Sequence, residues 1–241
     1  MEVIPVLDLM GGSVVRARMG SRETYRPIVT PLAPGSDPLD VARGLARIGA
    51  FERFYVADLD AIERKGDHRA VLRRLKSELG AELWIDAGIA DLAAARDWLG
   101  TELGSLVLGS ETQTDAALVR RLSGDPRVVL SLDFRGADFL GPPMLLAQPD
   151  AWPERVIAMT LGRVGSGAGP DFSRLAAIRT VAGTRKLYAA GGIRGAADLA
   201  DLARAGAAGA LVASCLHDGA LSAGEIAALG GPRAEMGGRE T

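Results

Sequence analysis

Short apolar runs alternate with longer amphipathic stretches along almost the whole chain. This alternation is typical of buried parallel strands covered by helices, because each parallel strand needs a long crossover connection to reach its neighbour. We predict eight strands and seven helices. The strands are Val3–Leu9, Arg53–Ala57, Leu83–Ile85, Leu106–Leu108, Val128–Leu132, Val156–Met159, Lys186–Ala189 and Ala210–Val212. The helices are Pro38–Ile48, His68–Leu79, Asp91–Trp98, Ala116–Leu122, Phe172–Val181, Ala196–Ala205 and Ala223–Leu229.

Eight strands with right-handed crossovers in about 230 residues predict an α/β fold, the (β/α)8 or TIM barrel, whose usual size is about 250 residues. A doubly wound open sheet is the alternative, although eight strands would be many for it. The connection after the fifth strand is rich in proline and has room only for a short or irregular helix. We expect one barrel domain over residues 1–230 and a flexible tail over residues 231–241, which lack apolar periodicity.

An internal repeat supports the barrel and suggests two related half-barrels. The segment Leu83–Ile89, a helix and then Val107–Ser110 parallel Leu187–Ile193, a helix and Leu211–Ser214, at a constant offset of 104 residues. A weaker echo pairs Leu7-Asp8 with Leu132-Asp133. The two halves of the barrel are therefore predicted to be related to one another.

The composition limits the classes of partner. The formal net charge is −2 and the pI is near 5.8, so we expect no nucleic-acid partner and no membrane partner. Two histidines and one cysteine make a metal site built on those ligands improbable on composition. We see no leader segment and no apolar run of about 20 residues, and we expect a cytoplasmic protein. The sequence carries no indication of an oligomeric state.

Carboxylates follow several of the predicted strands. Asp8, Asp58, Asp86 and Asp133 stand at the ends of the first, second, third and fifth strands. In a barrel of this kind the carboxyl ends of the strands carry the functional groups. Asp8 and Asp133 would face each other across the mouth, which suits one general acid and one general base. The alternative is that strand-end aspartates cap the turn or helix that follows them.

Small residues follow the last three strands and predict a phosphate site, because bare backbone N–H groups can approach an anion closely. A phosphate site after strands seven and eight is frequent in this fold. The repeat predicts a second phosphate or substrate site in the first half. The residues of the first site are Gly167, Gly169, Gly191, Gly192, Ala213 and Ser214, and those of the second are Asp86, Gly88, Gly109 and Ser110.

Several of these segments together resemble the HisA/HisF superfamily of histidine-biosynthesis barrels. The resemblance begins with Ile4–Leu9, the two glycines after it and Val14-Val15-Arg16. It continues in order, at the family's spacing, over about residues 1–230. The further matching segments are Ala57-Asp58-Leu59-Asp60-Ala61, Ser131-Leu132-Asp133, Gly169-Pro170, Ala190-Gly191-Gly192-Ile193 and the end of strand eight.

Arg16 and Asp58 make the chain more similar to the isomerase branch than to the cyclase branch. That branch catalyses an Amadori rearrangement of an aminoaldose that carries two phosphates. The resemblance implies that Asp8 removes the proton from the sugar carbon next to the imine and that Asp133 is the acid that opens the ribose ring. It implies no metal and no organic cofactor, and it makes Arg16, Asp58 and Ser166 candidate substrate contacts.

The sequence also departs from the family's pattern. Val164-Gly165-Ser166 stands where the family usually has Asp-Gly-Thr, and Asp86 stands where the family has a glycine of its first phosphate loop. Phe139–Met144 replaces a Gly-Trp that stacks on the substrate's base. These departures favour a diverged enzyme with a smaller, one-phosphate ligand over an ordinary histidine-pathway isomerase. We therefore expect a HisA-like isomerase that acts on a phosphorylated aminosugar or a related carbonyl compound. The alternative is a diverged barrel of this family that acts on, or binds, a smaller monophosphate outside histidine biosynthesis. The loop Met19–Pro34 is a candidate lid, and a non-catalytic phosphate-binding barrel is a third hypothesis.

Overall fold

Eight parallel strands close into a barrel in the computed structural model, which describes residues 1–229. All eight predicted strands are present, each at most a few residues longer than predicted. The strands are β1 (Glu2–Met10), β2 (Ser13–Arg16), β3 (Arg26–Pro27), β4 (Arg53–Asp58), β5 (Glu82–Asp86), β6 (Ser105–Gly109), β7 (Val128–Arg135), β8 (Asp138–Phe139), β9 (Arg155–Thr160), β10 (Lys186–Ala190) and β11 (Gly209–Val212).

The barrel consists of β1, β4, β5, β6, β7, β9, β10 and β11, in that order, and a parallel pairing of β1 with β11 closes the ring. The open doubly wound sheet is therefore excluded. The three other strands were not predicted. They are short antiparallel additions at the carboxyl ends of β1 and β7, where the chain turns back on a barrel strand.

Helices cover the outside of the barrel. The seven predicted helices are present, and the proline-rich connection after β7 contains the short helix α6 and a 3-10 turn. The helices are α1 (Pro38–Ile48), α2 (Leu59–Ile62), α3 (Arg69–Leu79), α4 (Leu92–Gly100), α5 (Ala117–Leu122), α6 (Pro143–Ala147), α7 (Phe172–Val181), α8 (Ala196–Arg204), α9 (Ser214–His217) and α10 (Ala223–Leu229). The tail predicted for residues 231–241 lies outside the described residues.

The repeat of 104 residues extends to the secondary structure. The bounds of β5 and α4, moved by 104 positions, coincide with those of β10 and α8, and β6 corresponds to β11. Two equivalent aromatic residues, Trp84 and Tyr188, meet inside the barrel with ring centroids 4.8 Å apart in an edge-to-face arrangement. The halves thus contribute matching elements to one closed ring.

The apolar core has two layers, because each strand alternates between the inside and the outside of the ring. The inner layer fills the barrel with side chains such as Ile4, Trp84 and Val129. The outer, larger layer packs the opposite faces of the strands against the helices, with Leu72, Leu83 and Leu132 among its fully buried members. Since the inner layer fills the barrel, a ligand can enter only above it, at the carboxyl ends of the strands. No helix within residues 1–229 is both long enough and apolar enough to cross a membrane.

Candidate active site

A cavity of about 460 Å³ opens at the carboxyl ends of the strands. The carboxyl groups of Asp8, Asp86 and Asp133 contribute to its wall from the ends of β1, β5 and β7. Glycine and alanine residues from the loops after β9, β10 and β11 form another part of the wall. We call the wall near β5 to β7 the acidic wall and the wall near β9 to β11 the glycine wall.

Asp8 is fixed by the sheet on both sides but its carboxyl group is free. Its backbone pairs with Val15 of β2 and Ala57 of β4. Within residues 1–229 the carboxyl group receives no hydrogen bond. Burial raises the pKa of Asp8 to about 7, and the nearby Arg22 cation partly opposes that rise. At neutral pH this carboxyl group is therefore available in both its protonated and its ionised form.

Asp133 is held more firmly. Its Oδ1 accepts a hydrogen bond from the Ser131 hydroxyl at 2.6 Å, and its Oδ2 accepts one from the Glu111 backbone N–H at 3.3 Å. The Ser110 hydroxyl lies 3.1 Å from Oδ2. Burial raises the pKa of Asp133 to about 7, the Ser131 hydrogen bond lowers it, and the neighbouring Asp86 charge raises it.

Asp8 and Asp133 lie across the cavity from each other. Their strands are separated by three barrel strands in one direction and by three in the other, so they are diametrically opposite in the ring. Two carboxyl groups with pKa values near neutrality on opposite sides of a ligand can act as one proton donor and one proton acceptor.

Asp86 is a third carboxyl group in the cavity. Its Oδ2 accepts a hydrogen bond from the Tyr55 hydroxyl at 3.2 Å, and its Oδ1 accepts one from the Gly88 N–H at 3.1 Å. A methyl group added to Gly109 would lie 3.2 Å from Asp86 Oδ2 and 3.5 Å from Asp133 Oδ2, so the two carboxylates flank one point. Burial raises the pKa of Asp86 to about 6. Asp86 therefore neither turns away from the cavity nor forms an ion pair with a cation among the described residues.

The glycine wall presents backbone donors. Gly167, Gly191, Gly192, Ala213 and Ser214 line the cavity as the sequence predicted. Within residues 1–229, the N–H groups of Gly167, Gly192 and Ser214 have no hydrogen-bond acceptor. Gly167 is exposed and Gly192 and Ser214 are half-buried in the cavity wall, so these donors are accessible to an anion that enters the cavity.

Two of these glycines are also required by the backbone. Gly191 and Gly192 have φ values of 106° and 80°. A Cβ atom would lie 2.4 Å from the Thr160 carbonyl oxygen at the first position and 2.4 Å from the Gly169 carbonyl oxygen at the second. The chain can make this turn only with glycine. A larger side chain here would disturb the loop as well as fill space that an anion needs.

Five of the residues predicted for the site do not line the cavity. Gly88 and Gly109 lie behind the acidic wall, and Ser110 is fully buried, where it accepts the Asp133 N–H. Gly169 lies behind Gly192, and its carbonyl accepts a hydrogen bond from Arg163. The second phosphate site that the repeat suggested is therefore not open in the predicted form, because Asp86 and Asp133 accept hydrogen bonds from its donors.

Asp58 is the fifth such residue, and the structure supports the capping alternative for it. Its carboxylate is fully buried and accepts hydrogen bonds from the Ala61 N–H of α2 and from the N–H and Nδ1 of His68. These contacts join the end of β4 to the start of α3. Asp58 thus organises the loop rather than the cavity surface.

Arg16 and Ser166 do line the cavity, but both have local partners. Arg16 forms an ion pair with Asp218 at 2.8 Å. The Ser166 hydroxyl donates to the Arg163 carbonyl at 2.8 Å. Phe139, in the segment that replaces the family's Gly-Trp, packs against Phe134 with ring centroids 5.2 Å apart and does not reach the cavity.

Several polar residues of the cavity lie outside the predicted site. Arg22 and Tyr25 belong to the candidate lid loop Met19–Pro34, which supplies part of the wall, and Arg22 pairs with Glu111 across the mouth. Arg135 and Tyr55 also line the cavity. Glu111 directly follows the repeated Gly109-Ser110, which was an available signal. The position of Arg22 was not predictable, because nothing local in a loop indicates where it crosses the barrel.

The described residues contain no group of three His, Cys, Asp or Glu side chains arranged to hold a metal ion. The cavity wall carries carboxyl groups, arginines, tyrosines and backbone donors.

The sequence is similar to known proteins over nearly its full length. A family model described as "Histidine biosynthesis protein" matches residues 2–222. An uncharacterized protein of Methanocaldococcus jannaschii is 27% identical over 232 residues, which cover 94% of this chain and 97% of the relative. A protein of Rubrobacter xylanophilus is 30% identical over 244 residues, with 95% of this chain and 96% of the relative covered. A protein of Deinococcus radiodurans is 29% identical over 236 residues, with 91% and 95% covered. The last two are named 1-(5-phosphoribosyl)-5-((5-phosphoribosylamino)methylideneamino)imidazole-4-carboxamide isomerase.

Proposed function

The chain belongs to the histidine biosynthesis protein family, and from that membership we propose that it is an isomerase of the HisA type. The reaction is an aldose–ketose rearrangement of the Amadori type on a phosphorylated aminosugar or a related carbonyl compound. Asp133 is the acid that protonates the ring oxygen and opens the sugar. Asp8 is the base that takes the proton from the carbon next to the resulting imine.

The observation that carries this proposal is the pairing of Asp8 and Asp133 across one cavity, each with a pKa raised to about 7 by burial. A carboxyl group with its ordinary pKa would be ionised at neutral pH and could not donate a proton. Groups poised near neutrality serve either role, which is the condition for general acid–base catalysis. The rearrangement moves protons within one substrate with no net oxidation or reduction, so its steps call for an acid and a base of this kind.

The two carboxyl groups differ in a way that suits different roles. Asp133 is oriented by the Ser131 hydroxyl and the Glu111 N–H, so the direction in which it can deliver a proton is set. Asp8 has no such donors within residues 1–229 and is free to meet a carbon-bound proton. The cation of Arg22 favours the ionised form of Asp8, which is the form a base needs.

The glycine wall binds the substrate's phosphate in this proposal. The N–H groups of Gly167, Gly192 and Ser214, which have no acceptor within residues 1–229, supply the donors. The loops that hold these residues follow β9, β10 and β11, which lie between the strand of Asp133 and the strand of Asp8 in the ring. The phosphate would therefore bind in the same cavity as the two carboxyl groups.

An alternative keeps the barrel and the acid–base pair but changes the ligand. Asp86 stands where a second phosphate would be expected from the repeat, and its carboxylate takes the Gly88 N–H. This observation favours a smaller compound with one phosphate that lies outside histidine biosynthesis.

Turnover of the substrate named in the two isomerase relatives separates the two possibilities. The experiment compares wild-type protein with Asp8→Asn and Asp133→Asn. Product is measured by chromatography and substrate binding by calorimetry, in the same samples. Asp201→Asn is the matched control, because Asp201 lies on α8 and its exposed carboxylate pairs, among residues 1–229, only with Arg204.

Turnover that both active-site substitutions abolish and the control preserves supports the histidine-pathway reaction. No turnover and no binding of that substrate, together with binding of inorganic phosphate, supports the alternative. Binding of the substrate without any turnover by wild-type protein contradicts an enzymatic role and supports a phosphate-binding barrel.

A further inference from the structure

The two halves of the barrel present chemically opposite walls at equivalent positions. In the repeat of 104 residues, Gly88 is equivalent to Gly192, Ser110 to Ser214 and Glu111 to Cys215. On the glycine wall the first two positions carry N–H donors that have no acceptor within residues 1–229. On the acidic wall the Gly88 N–H already donates to Asp86, and the Ser110 hydroxyl and the Glu111 N–H both lie against Asp133 Oδ2.

Asp86 is the residue responsible for this difference. Its equivalent on the other wall is Ala190, which has no polar side chain. Asp86 is 9% exposed and lines the cavity. One of its carboxylate oxygens accepts a hydrogen bond from the Tyr55 hydroxyl, and the other accepts one from the Gly88 N–H. In physical terms, the protein's own carboxylate occupies the position at which the other half can accept an anion from solution.

A phosphate cannot bind beside this group without a large cost. It would face the carboxyl groups of Asp86, Asp133 and Glu111. Among the arginines of the cavity wall, Arg22 already pairs with Glu111 and Arg135 donates to the Gly20 carbonyl. The repulsion energy between like charges a few ångströms apart is several-fold larger in a partly buried site than in water, because the effective dielectric constant is lower there. A group that carries hydrogens and a positive charge would instead find free acceptor positions on these carboxylates.

We propose that Asp86 is a specificity-determining residue, an inference that rests on the proposed function. Asp86 restricts the substrate to compounds with a single phosphate, and it accepts a hydrogen bond from an amino group at the other end of the substrate. The phosphate lies on the glycine wall and the amine on the acidic wall. The substrate class is therefore an amino-bearing phosphate monoester. This assignment also explains why the first half has Asp86-Ala87-Gly88 where the second half has Ala190-Gly191-Gly192.

Three hexose phosphates that differ at single positions test the proposal by calorimetry at pH 7.5. They are glucose 6-phosphate, glucosamine 6-phosphate and glucose 1,6-bisphosphate, with inorganic phosphate as a fourth probe. For wild-type protein we expect the amine to bind at least about tenfold more tightly than the bisphosphate. Asp86→Asn should remove the preference for the amine and strengthen binding of the bisphosphate by about tenfold, while the affinity for inorganic phosphate stays unchanged.

Asp86→Ser is the second variant, because it removes the charge without the bulk of an amide. Asp201→Asn again controls for the loss of one negative charge, and thermal unfolding verifies that each variant is folded. If Asp86→Asn and Asp86→Ser change the affinity for all three sugars equally, the specificity role is wrong and the proposed phosphate site stands. If neither inorganic phosphate nor any monoester binds wild-type protein, the proposed function fails, and the inference about Asp86 fails with it.

Discussion

Replacing Asp8 by asparagine should make the protein more stable at alkaline pH while it removes the proposed base. The sheet fixes the backbone of Asp8, and its carboxyl group has no hydrogen bond to lose within residues 1–229. The substitution therefore changes the charge of one group and little else. Its effect on the free energy of unfolding follows from the pKa of that group in the folded and unfolded chains.

The sign and size of the effect can be worked out. The pKa of Asp8 rises from 3.8 in the unfolded chain to about 7 in the folded protein. Between these values the folded state holds more protons than the unfolded state, so stability falls as pH rises through this range. Each pKa unit corresponds to about 1.4 kcal/mol, and water in the cavity reduces the full value. We expect the cost to be about 2–4 kcal/mol above pH 8 and close to zero near pH 4.

Urea unfolding of wild-type protein and Asp8→Asn at several pH values from 4 to 9 measures this difference directly. The variant should equal the wild type near pH 4, gain stability relative to it as the pH rises, and reach a constant advantage above about pH 8. Asp201→Asn should show no such pH-dependent gain. An Asp8→Asn variant that is less stable than wild type at pH 8, or a difference that does not change with pH, would refute the reasoning.

Three further predictions follow from contacts around the site. Ser131→Ala removes the 2.6 Å hydrogen bond to Asp133 and should move the limb of the pH–rate profile that reports Asp133 to higher pH, with rates measured from pH 5 to 9. Gly192→Ala places a methyl group 2.4 Å from the Gly169 carbonyl at a positive φ and should cost about 1–3 kcal/mol in urea unfolding; unchanged stability would contradict the strained turn. Asp58→Ala should cost about 1–3 kcal/mol, because two backbone N–H groups lose their acceptor, and should leave the affinity for inorganic phosphate unchanged in calorimetry.

The aspartates at the carboxyl ends of the strands differ in what surrounds their carboxyl groups. Asp58 resembles Asp8 in sequence, since each directly follows a buried strand. Their surroundings differ, because a helix start and a histidine approach Asp58 while the cavity opens beside Asp8. Strand-end position thus marks a candidate, and the loop that packs against the carboxylate decides its role.

The sequence by itself determined the barrel and its internal repeat. Apolar runs such as Val128–Leu132 and amphipathic stretches such as Pro38–Ile48 are local patterns, and the order of strands and helices leaves few ways to close a parallel sheet. The repeat fixed which segments correspond, and the positions of Asp8 and Asp133 at strand ends followed from the same patterns.

Only the tertiary structure decided what those positions do. The contact of Arg22 with Glu111 joins residues far apart in the chain, and no local pattern specifies it. Whether the N–H groups of Gly88 and Gly192 are used or free depends on whether a carboxylate from the preceding strand lies against them. Periodicity records which side chains are buried, whereas hydrogen-bond partners and pKa values arise from atoms that meet only after the ring has closed.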